Sequence, residues 1–366
     1  MNMYPMQELF PSCPACLTSL ADHLRIIAAE RDQTKLSGLL LNVLKDTLLT
    51  RRSALYRYVA RKEDPFVILF GEIASGVMTT HDAYLLSPSR GTNIEQNSRL
   101  ARCINGGKPI LEVVGGCHVC IFPIYRRESL HLLVELERDV TFDQATLSLV
   151  ESILTYYSDH LALIDYAETD TLTGLLNRKT FDEHLDRVLS TASDDTDIAA
   201  TGDHPLRRHV KPTDQVSNWL AIIDIDHFKR VNDSHGHLIG DEVLLLIAQR
   251  MQESFRLDDQ LFRYGGEEFV TVLQPTGLSE ARVVLDRFRR TVEEYQFPMV
   301  GKITVSVGFT RISYFDNPPD LVDRADKALY FAKEHGRNKV ESYEELNDRG
   351  LLGTEHARLK SDVELF

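Results

Sequence analysis

The sequence predicts a two-domain α+β protein, and three observations carry that prediction. The chain has 366 residues, long for one hydrophobic core. Helical and strand-like spacings alternate on both sides of a long helical stretch near residues 141–168. The composition, 43% hydrophobic and 26% charged, is that of an ordinary soluble globular chain.

Charge and composition exclude several classes. With 55 acidic and 41 basic residues the formal net charge is −14, which argues against a nucleic-acid surface, because phosphate contacts need clustered Lys and Arg. A nucleotide substrate remains open, since it needs only a few cations or metal ions. No apolar run approaches the roughly 18–20 residues that span a bilayer. The opening MNMYPMQELFPSC has no basic stretch followed by an apolar one, so it does not read as a signal peptide. Five cysteines, an odd number, suggest no disulfide framework. The expectation is a cytoplasmic protein that binds neither membrane nor nucleic acid.

Taken in order, residues 1–16 read as a tail. Residues 17–49 are helical, with Leu39, Leu40, Val43 and Leu44 at helical spacing. Strand-like runs follow at 53–59 and 66–70, then a polar helix-compatible stretch at 94–104. Runs at 120–125 and 130–136 predict a hairpin across 126–129. Helix, strands, helix, hairpin and closing helix make an α+β unit over 17–140. In order and size it resembles a GAF sensor domain. No ligand-specific motif stands out in it, so the sensor ligand is unknown.

In the connecting helix, 141–168, Leu147, Val150, Leu154, Tyr157, Leu161 and Ile164 step by 3, 4, 3, 4 and 3. Such a seam buries its stripe well against a second copy of itself. A helix packed on its own domain's sheet needs a similar stripe. The favoured expectation is a coiled-coil-like helix in a parallel homodimer.

The second domain spans 169–342, with 343–366 as a peripheral tail. Residues 190–217, rich in Asp, Thr, Gly and Pro, read as a surface loop inserted before a strand. That strand, 219–226, is apolar until it ends in Asp224 and Asp226. Alternation puts these two on one face, and carboxylates at the end of a buried strand need metal, donors or solvent. A second strand-like run leads into Gly265-Gly266-Glu267-Glu268-Phe269. Paired glycines between strands predict a two-residue hairpin, whose turn needs positive φ, and they let a phosphate approach backbone amides. Such a hairpin beside the first strand brings Glu267 next to Asp224. Two carboxylates and a carbonyl are hard oxygen ligands suited to Mg²⁺ carrying a triphosphate.

These residues, with Asp170-Thr171-Leu172-Thr173-Gly174-Leu175-Leu176-Asn177-Arg178, Gly236-His237-Leu238-Ile239-Gly240-Asp241 and the closing stretch from Asp326 to Asn338, resemble GGDEF-domain diguanylate cyclases, in the form with Glu267 at the third hairpin position. The resemblance covers nearly the whole second domain. It implies a palm-type, nucleotidyl-cyclase-like fold and the condensation of two GTP into cyclic di-GMP and pyrophosphate across a homodimer. It implies that Asp224, the Ile225 carbonyl and Glu267 hold two Mg²⁺, with Mn²⁺ an alternative. Asn232 and Asp241 would read guanine, while Lys333 and Arg337 neutralise β and γ phosphates and Lys229 adds charge nearby. Gly265 and Gly266 would make room for phosphates, and Glu268 or Glu267 would accept the proton. Asp241 taken alone is also an ordinary acid at a helix start. His235 and His237 read as structural.

Arg256-x-x-Asp259 precedes Gly265 at the spacing that marks the family's inhibitory product site, with Arg287 in support. Cys13-x-x-Cys16 and Cys117-x-x-Cys120 have the spacing of half-sites for Zn²⁺, with a redox pair or incidental cysteines as the alternatives. The runner-up to an enzyme is a catalytically silent receptor of cyclic di-GMP or GTP.

Overall fold

The computed structural model describes residues 14–60, 65–81, 91–94, 98–126, 129–191, 216–313 and 315–352. The chain divides into two compact units, residues 1–167 and 168–366.

The first unit runs α1 (Pro14–Ala29), α2 (Gln33–Leu48), β1 (Arg52–Val59), β2 (Phe66–Ala74), β3 (Val77–Thr80), β4 (Gly91–Asn93), α3 (Ser98–Gly106), β5 (Ile110–Val114), β6 (Cys117–Arg126), β7 (Ser129–Arg138) and α4 (Gln144–Glu168). Its antiparallel sheet has the order β3-β2-β1-β7-β6-β5, with β4 also on β2. One face is covered by α2 and α4, through Leu40, Leu44, Val150 and Tyr157. On the other, Leu100 and Cys103 of α3 meet Val119, Ile121 and Leu133. The helix expected at 94–104 lies at 98–106. The short edge strands β3 and β5 escape the sequence reading; β5 leaves Leu111 and Val113 largely exposed, so it lacks a buried alternation.

Two expectations are corrected in this unit. The α4 stripe does not wait for a partner chain. Val150, Leu154, Tyr157, Leu161 and Ile164 are all buried in the unit's own core, and Tyr157 Oη lies 3.1 Å from Ser37 Oγ of α2. A 3–4 spacing is the same for a helix on a sheet as for one in a coiled coil. The Cys117–Cys120 half-site also fails. Both lie on extended β6, where residues three apart point to opposite faces: Cys120 joins the core beneath α4, and Cys117 lies on the side of Val119. Burial pushes the Cys120 thiol up to about 12, away from the thiolate that binds zinc. Cys103, Cys117 and Cys120 are free thiols. Cys13 is outside the described residues, as is the side chain of Cys16.

The second unit contains β8 (Leu176–Asn177), α5 (Arg178–Thr191), β9 (Ser217–Ile225), α6 (Phe228–His235), α7 (His237–Ser254), β10 (Gln260–Arg263), β11 (Glu268–Thr276), α8 (Leu278–Glu294), β12 (Gln296–Phe297), β13 (Gly301–Lys302), β14 (Val305–Arg311), α9 (Pro318–Glu334), β15 (Val340–Ser342) and α10 (Tyr343–Asp348). The loop expected at 190–217 lies, apart from its ends, outside the described residues. Residues 343–348, expected as tail, are part of the domain. Ser342 caps α10, Leu346 is buried, and Glu344 accepts from Thr310 Oγ1 at 2.9 Å and Arg311 N at 2.7 Å.

The six-stranded sheet has the order β15-β14-β9-β11-β10-β8, a mixed sheet of the palm type. β9 is central, antiparallel to both β11 and β14. Its odd residues Trp219, Ala221, Ile223 and Ile225 pack toward α7 and α8. The even ones, Leu220 and Ile222, pack toward α5 and α9. Burial on both faces explains the unbroken apolar run.

Helix α9 is positioned by two features. Asn317 caps it, accepting from Asp320 N at 2.9 Å, and Pro318-Pro319 occupy the first turn, where a missing N–H is harmless. Gly308 on β14 then admits the helix closely: a Cβ there would lie 2.0 Å from Leu329 N and 2.3 Å from Ala325 O.

Candidate functional site

Asp224 shares the even face of β9, toward α9. Its partner across the sheet on β11 is Glu268, and on β14 it is Ser306. Glu268 therefore sits on the same face, directly beside it. Glu267 occupies the turn just before β11, where its carbonyl accepts from Ile225 N at 3.4 Å. Lys333 of α9 reaches Asp224 with Nζ 2.9 Å from Oδ2.

Three acids thus crowd one lysine. Burial pushes the Asp224 carboxyl above its ordinary value, opposed by Lys333 and reinforced by Asp226 and Asp326. Burial and then the Asp224 charge raise both Glu267 and Glu268. One ammonium does not neutralise this set. Such an uncompensated cluster of hard oxygens favours a divalent cation or protonation.

The turn differs from the expected one. Neither Gly265 nor Gly266 has positive φ. Tyr264 N and Gly265 N both donate to Glu268 O, at 2.9 and 3.1 Å, so the turn holds Gly265, Gly266 and Glu267 rather than two glycines. The glycines serve space instead. A Cβ at Gly265 would lie 2.6 Å from Glu268 Oε2, while nothing lies within 4 Å of one at Gly266, leaving an open approach to the backbone.

The opening motif braces this turn, a role that sequence reading missed. Asp170 accepts from Thr173 N and Oγ1 at 2.8 and 2.7 Å and pairs with Arg263 Nη1 at 3.1 Å. Arg263 Nη2 in turn donates to Gly266 O at 2.9 Å. The Arg178 guanidinium lies 4.6 Å from the Tyr264 ring centre, a cation–π contact. These partners are far apart in sequence, and no spacing reveals them.

The residues expected at the base are brought together on the two adjoining helices α6 and α7. Asn232 is half-buried and Asp241 exposed. Gly240 explains how Asn232 lies so near: a Cβ there would be 1.9 Å from Asn232 Oδ1 and 3.3 Å from Phe228 Cζ. Lys229 and Arg337 are exposed, and Arg337 has left-handed backbone, φ +59°.

At the expected inhibitory site Arg256 is exposed but Asp259 is buried. Asp259 Oδ2 accepts from Arg256 N at 2.9 Å and Oδ1 from Gln274 N at 3.0 Å. Its carboxylate thus already holds the turn, and burial raises its pKa. Arg287 of α8 donates to Ser254 O at the end of α7, close in sequence to Arg256.

The sheet with acids at the end of its central strand and a glycine turn beside them defines a palm-type α+β domain. Residues 203–339 match the family model described as "Diguanylate cyclase, GGDEF domain", and the second unit is a GGDEF domain. Diguanylate cyclase DgcP of Pseudomonas aeruginosa is 39% identical over 178 residues, 48% of this chain and 24% of that protein. Diguanylate cyclase A of Treponema denticola is 30% identical over 223 residues, 59% and 53% respectively. The GGDEF domain of DgcB from Caulobacter crescentus, solved in complex with c-di-GMP, aligns at 33% identity over 49% of this chain and 96% of that one, with a TM-score of 0.42. The chain thus spans from a quarter to about half of the two curated relatives. No helix among the described residues is long and apolar enough to cross a membrane.

Proposed function

We propose that this chain is a diguanylate cyclase, joining two GTP into cyclic di-GMP with release of two pyrophosphates. The observation that carries the reading is the crowding of Asp224, Glu267 and Glu268 around Lys333 beside an open glycine turn. The 3′-oxygen of one GTP forms a bond to the α-phosphorus of the other. The bond from that phosphorus to the β-bridging oxygen breaks, and the hydroxyl proton passes to a carboxylate. Repetition in the other sense closes the ring. Glu268 and Glu267, whose carboxyls burial and the Asp224 charge raise above the ordinary value, are the acceptors in place.

Among the described residues no three His, Cys, Asp or Glu side chains form a ready-made metal cage. Mg²⁺ is usually held by one or two carboxylates together with substrate phosphates rather than by an all-protein cage. Asp224, Glu267 and the Ile225 carbonyl would hold it, and when bound it neutralises the triphosphate and acidifies the attacking hydroxyl. Lys333 and Arg337 bind the β and γ phosphates, and Lys229 adds positive charge. Asn232 and Asp241 take the guanine edge, since a carboxylate accepts from both N1–H and the exocyclic amine. Gly240→Ala then turns Asn232 away. The expected result is a KM for GTP raised by about 10–100-fold with kcat little changed, as for one lost base contact. A KM within twofold of wild type would remove Asn232 from the base site.

Each domain holds one GTP, so two chains must meet. Support for a homodimer comes from the outer face of α4, where Ser152, Tyr156, Asp159, Leu163 and Tyr166 step by 4, 3, 4 and 3 and are all exposed. Leu163→Glu is expected to raise the dimer dissociation constant at least ~30-fold and to make activity at low protein concentration fall in proportion. Light scattering and initial rates at matched concentrations check it; an unchanged dimer discards this face.

The first unit is read as a GAF-like regulatory domain. Helices on both faces of one antiparallel sheet, in the expected element order, support this. Cyclic di-GMP is read as a feedback inhibitor bound by Arg256 and Arg287, with Asp259 shaping the turn. A silent receptor would fit the loss of a metal ligand, whereas Asp224 and Glu267 are both present. Purified protein, stripped of bound nucleotide and incubated with GTP and Mg²⁺, should yield cyclic di-GMP on chromatography. Its absence from a dimeric preparation ends the enzyme reading.

A further inference from the structure

Asp226 looks like the second half of an acidic pair with Asp224, yet it is engaged differently. It lies one residue beyond β9, is buried, and both its oxygens are occupied. Oδ1 accepts from Ser306 Oγ at 2.7 Å, and Oδ2 from Thr304 Oγ1 at 2.7 Å. Oδ2 also accepts from the backbone N–H of Asn338 at 3.1 Å. The Asn338 side chain is held as firmly. Its Oδ1 accepts from Arg289 Nη1 at 2.8 Å, and its Nδ2 donates to Glu293 Oε1 at 2.8 Å.

Between Lys333 and this anchor the backbone runs through Gly336, Arg337 and Asn338, all left-handed, with φ +107°, +59° and +48°. Two consecutive non-glycine residues in that region persist only where the surroundings over-determine them. Here the Asp226 carboxylate and the Arg289–Glu293 pair do so. The residue they present is Arg337, exposed and without an ion pair among the described residues.

We propose that Asp226 and Asn338 are positioning residues that hold the Arg337 guanidinium for the distal phosphates of the substrate. This rests on the reading of the site as a GTP site. Preorganising an arginine in a strained loop lowers the ordering cost of a charge-assisted contact to phosphate. Asp226 thus acts through a loop more than a hundred residues away, not as a metal ligand.

The test uses Asn338→Gly, which keeps the left-handed backbone free of strain while deleting the side-chain ties. Binding of a GTP analogue with a methylene between the α and β phosphorus atoms, and of GMP, is measured by calorimetry. The analogue is expected to bind about tenfold more weakly, with GMP unchanged within about twofold. Adding Arg337→Ala is expected to weaken the analogue by under about threefold in this background, against about tenfold in wild type. Equal losses for both ligands, no loss for either, or a full Arg337→Ala effect in both backgrounds overturns the proposal. A wild-type protein that binds neither ligand overturns the GTP reading instead. The anchoring is then judged by tryptic cleavage after Arg337 in the native protein. Cleavage at least about fivefold faster in Asn338→Gly upholds the tether, and an unchanged rate overturns it.

Discussion

Replacing Glu267 with Gln is expected to reduce cyclic di-GMP formation by at least about 10³-fold, while binding of cyclic di-GMP changes less than about twofold. The substitution keeps shape and volume but removes the charge that the proposed chemistry uses. The turn itself depends on the Glu267 carbonyl and on Glu268 O, which are backbone groups, so the hairpin remains. Pyrophosphate release and chromatography of the product measure the first effect, and calorimetry the second. The same variant has a stability signature. Burial and the Asp224 charge hold the Glu267 carboxyl above its usual value near 4.5. A raised folded-state pKa contributes stability that is present below the unfolded value and lost as pH rises through the folded one. At pH 7.5 without metal, the Gln variant should therefore melt about 1–3 °C above wild type, a modest gain because solvent screens a half-open site. The gap should close as pH falls toward 4. Turnover within tenfold of wild type would remove Glu267 from the chemistry.

Gly308→Ala carries the largest expected effect on folding. The new Cβ would stand 2.0 Å from Leu329 N, 2.3 Å from Ala325 O and 2.6 Å from Leu329 Cα. These are backbone atoms of α9, so no side chain can rotate away and the helix must shift. A loss of about 3–5 kcal/mol is expected, read as an earlier urea transition of the second unit. Survivors should lose activity as well, because α9 carries Lys333 against Asp224. Gly106→Ala is the control, since nothing lies within 4 Å of a Cβ there. A Gly308→Ala transition within about 1 kcal/mol of wild type contradicts the close approach.

What the sequence reveals here follows from how local each signal is. The apolar run of β9 ending in Asp224, and the glycine turn next to Glu267 and Glu268, are contiguous words whose chemistry can be read in place. The register that sets Glu268 opposite Asp224 needs the pairing itself. The Asp170–Arg263–Gly266 brace joins groups distant in sequence and leaves no periodic trace. The α4 stripe was legible as a stripe, but its periodicity carries no mark of which surface covers it. The cysteine spacing alone suggests a metal, but on an extended strand the same spacing splits Cys117 and Cys120 between faces. Paired glycines suggest positive φ, whereas neither adopts it; a Cβ at Gly265 would instead displace the Glu268 carboxylate, 2.6 Å away.

The strand that carries Asp224 lies at the middle of its sheet, bonded to a neighbour along each edge and covered on each face. Its amides should be among the last in the unit to exchange with deuterated solvent, opening only when the whole unit unfolds. The acids of the candidate site thus stand on or beside the strand expected to be least able to breathe. Loosening that strand would dismantle the machinery rather than throttle it. Under the proposed function, control would then fall on how often two loaded copies meet.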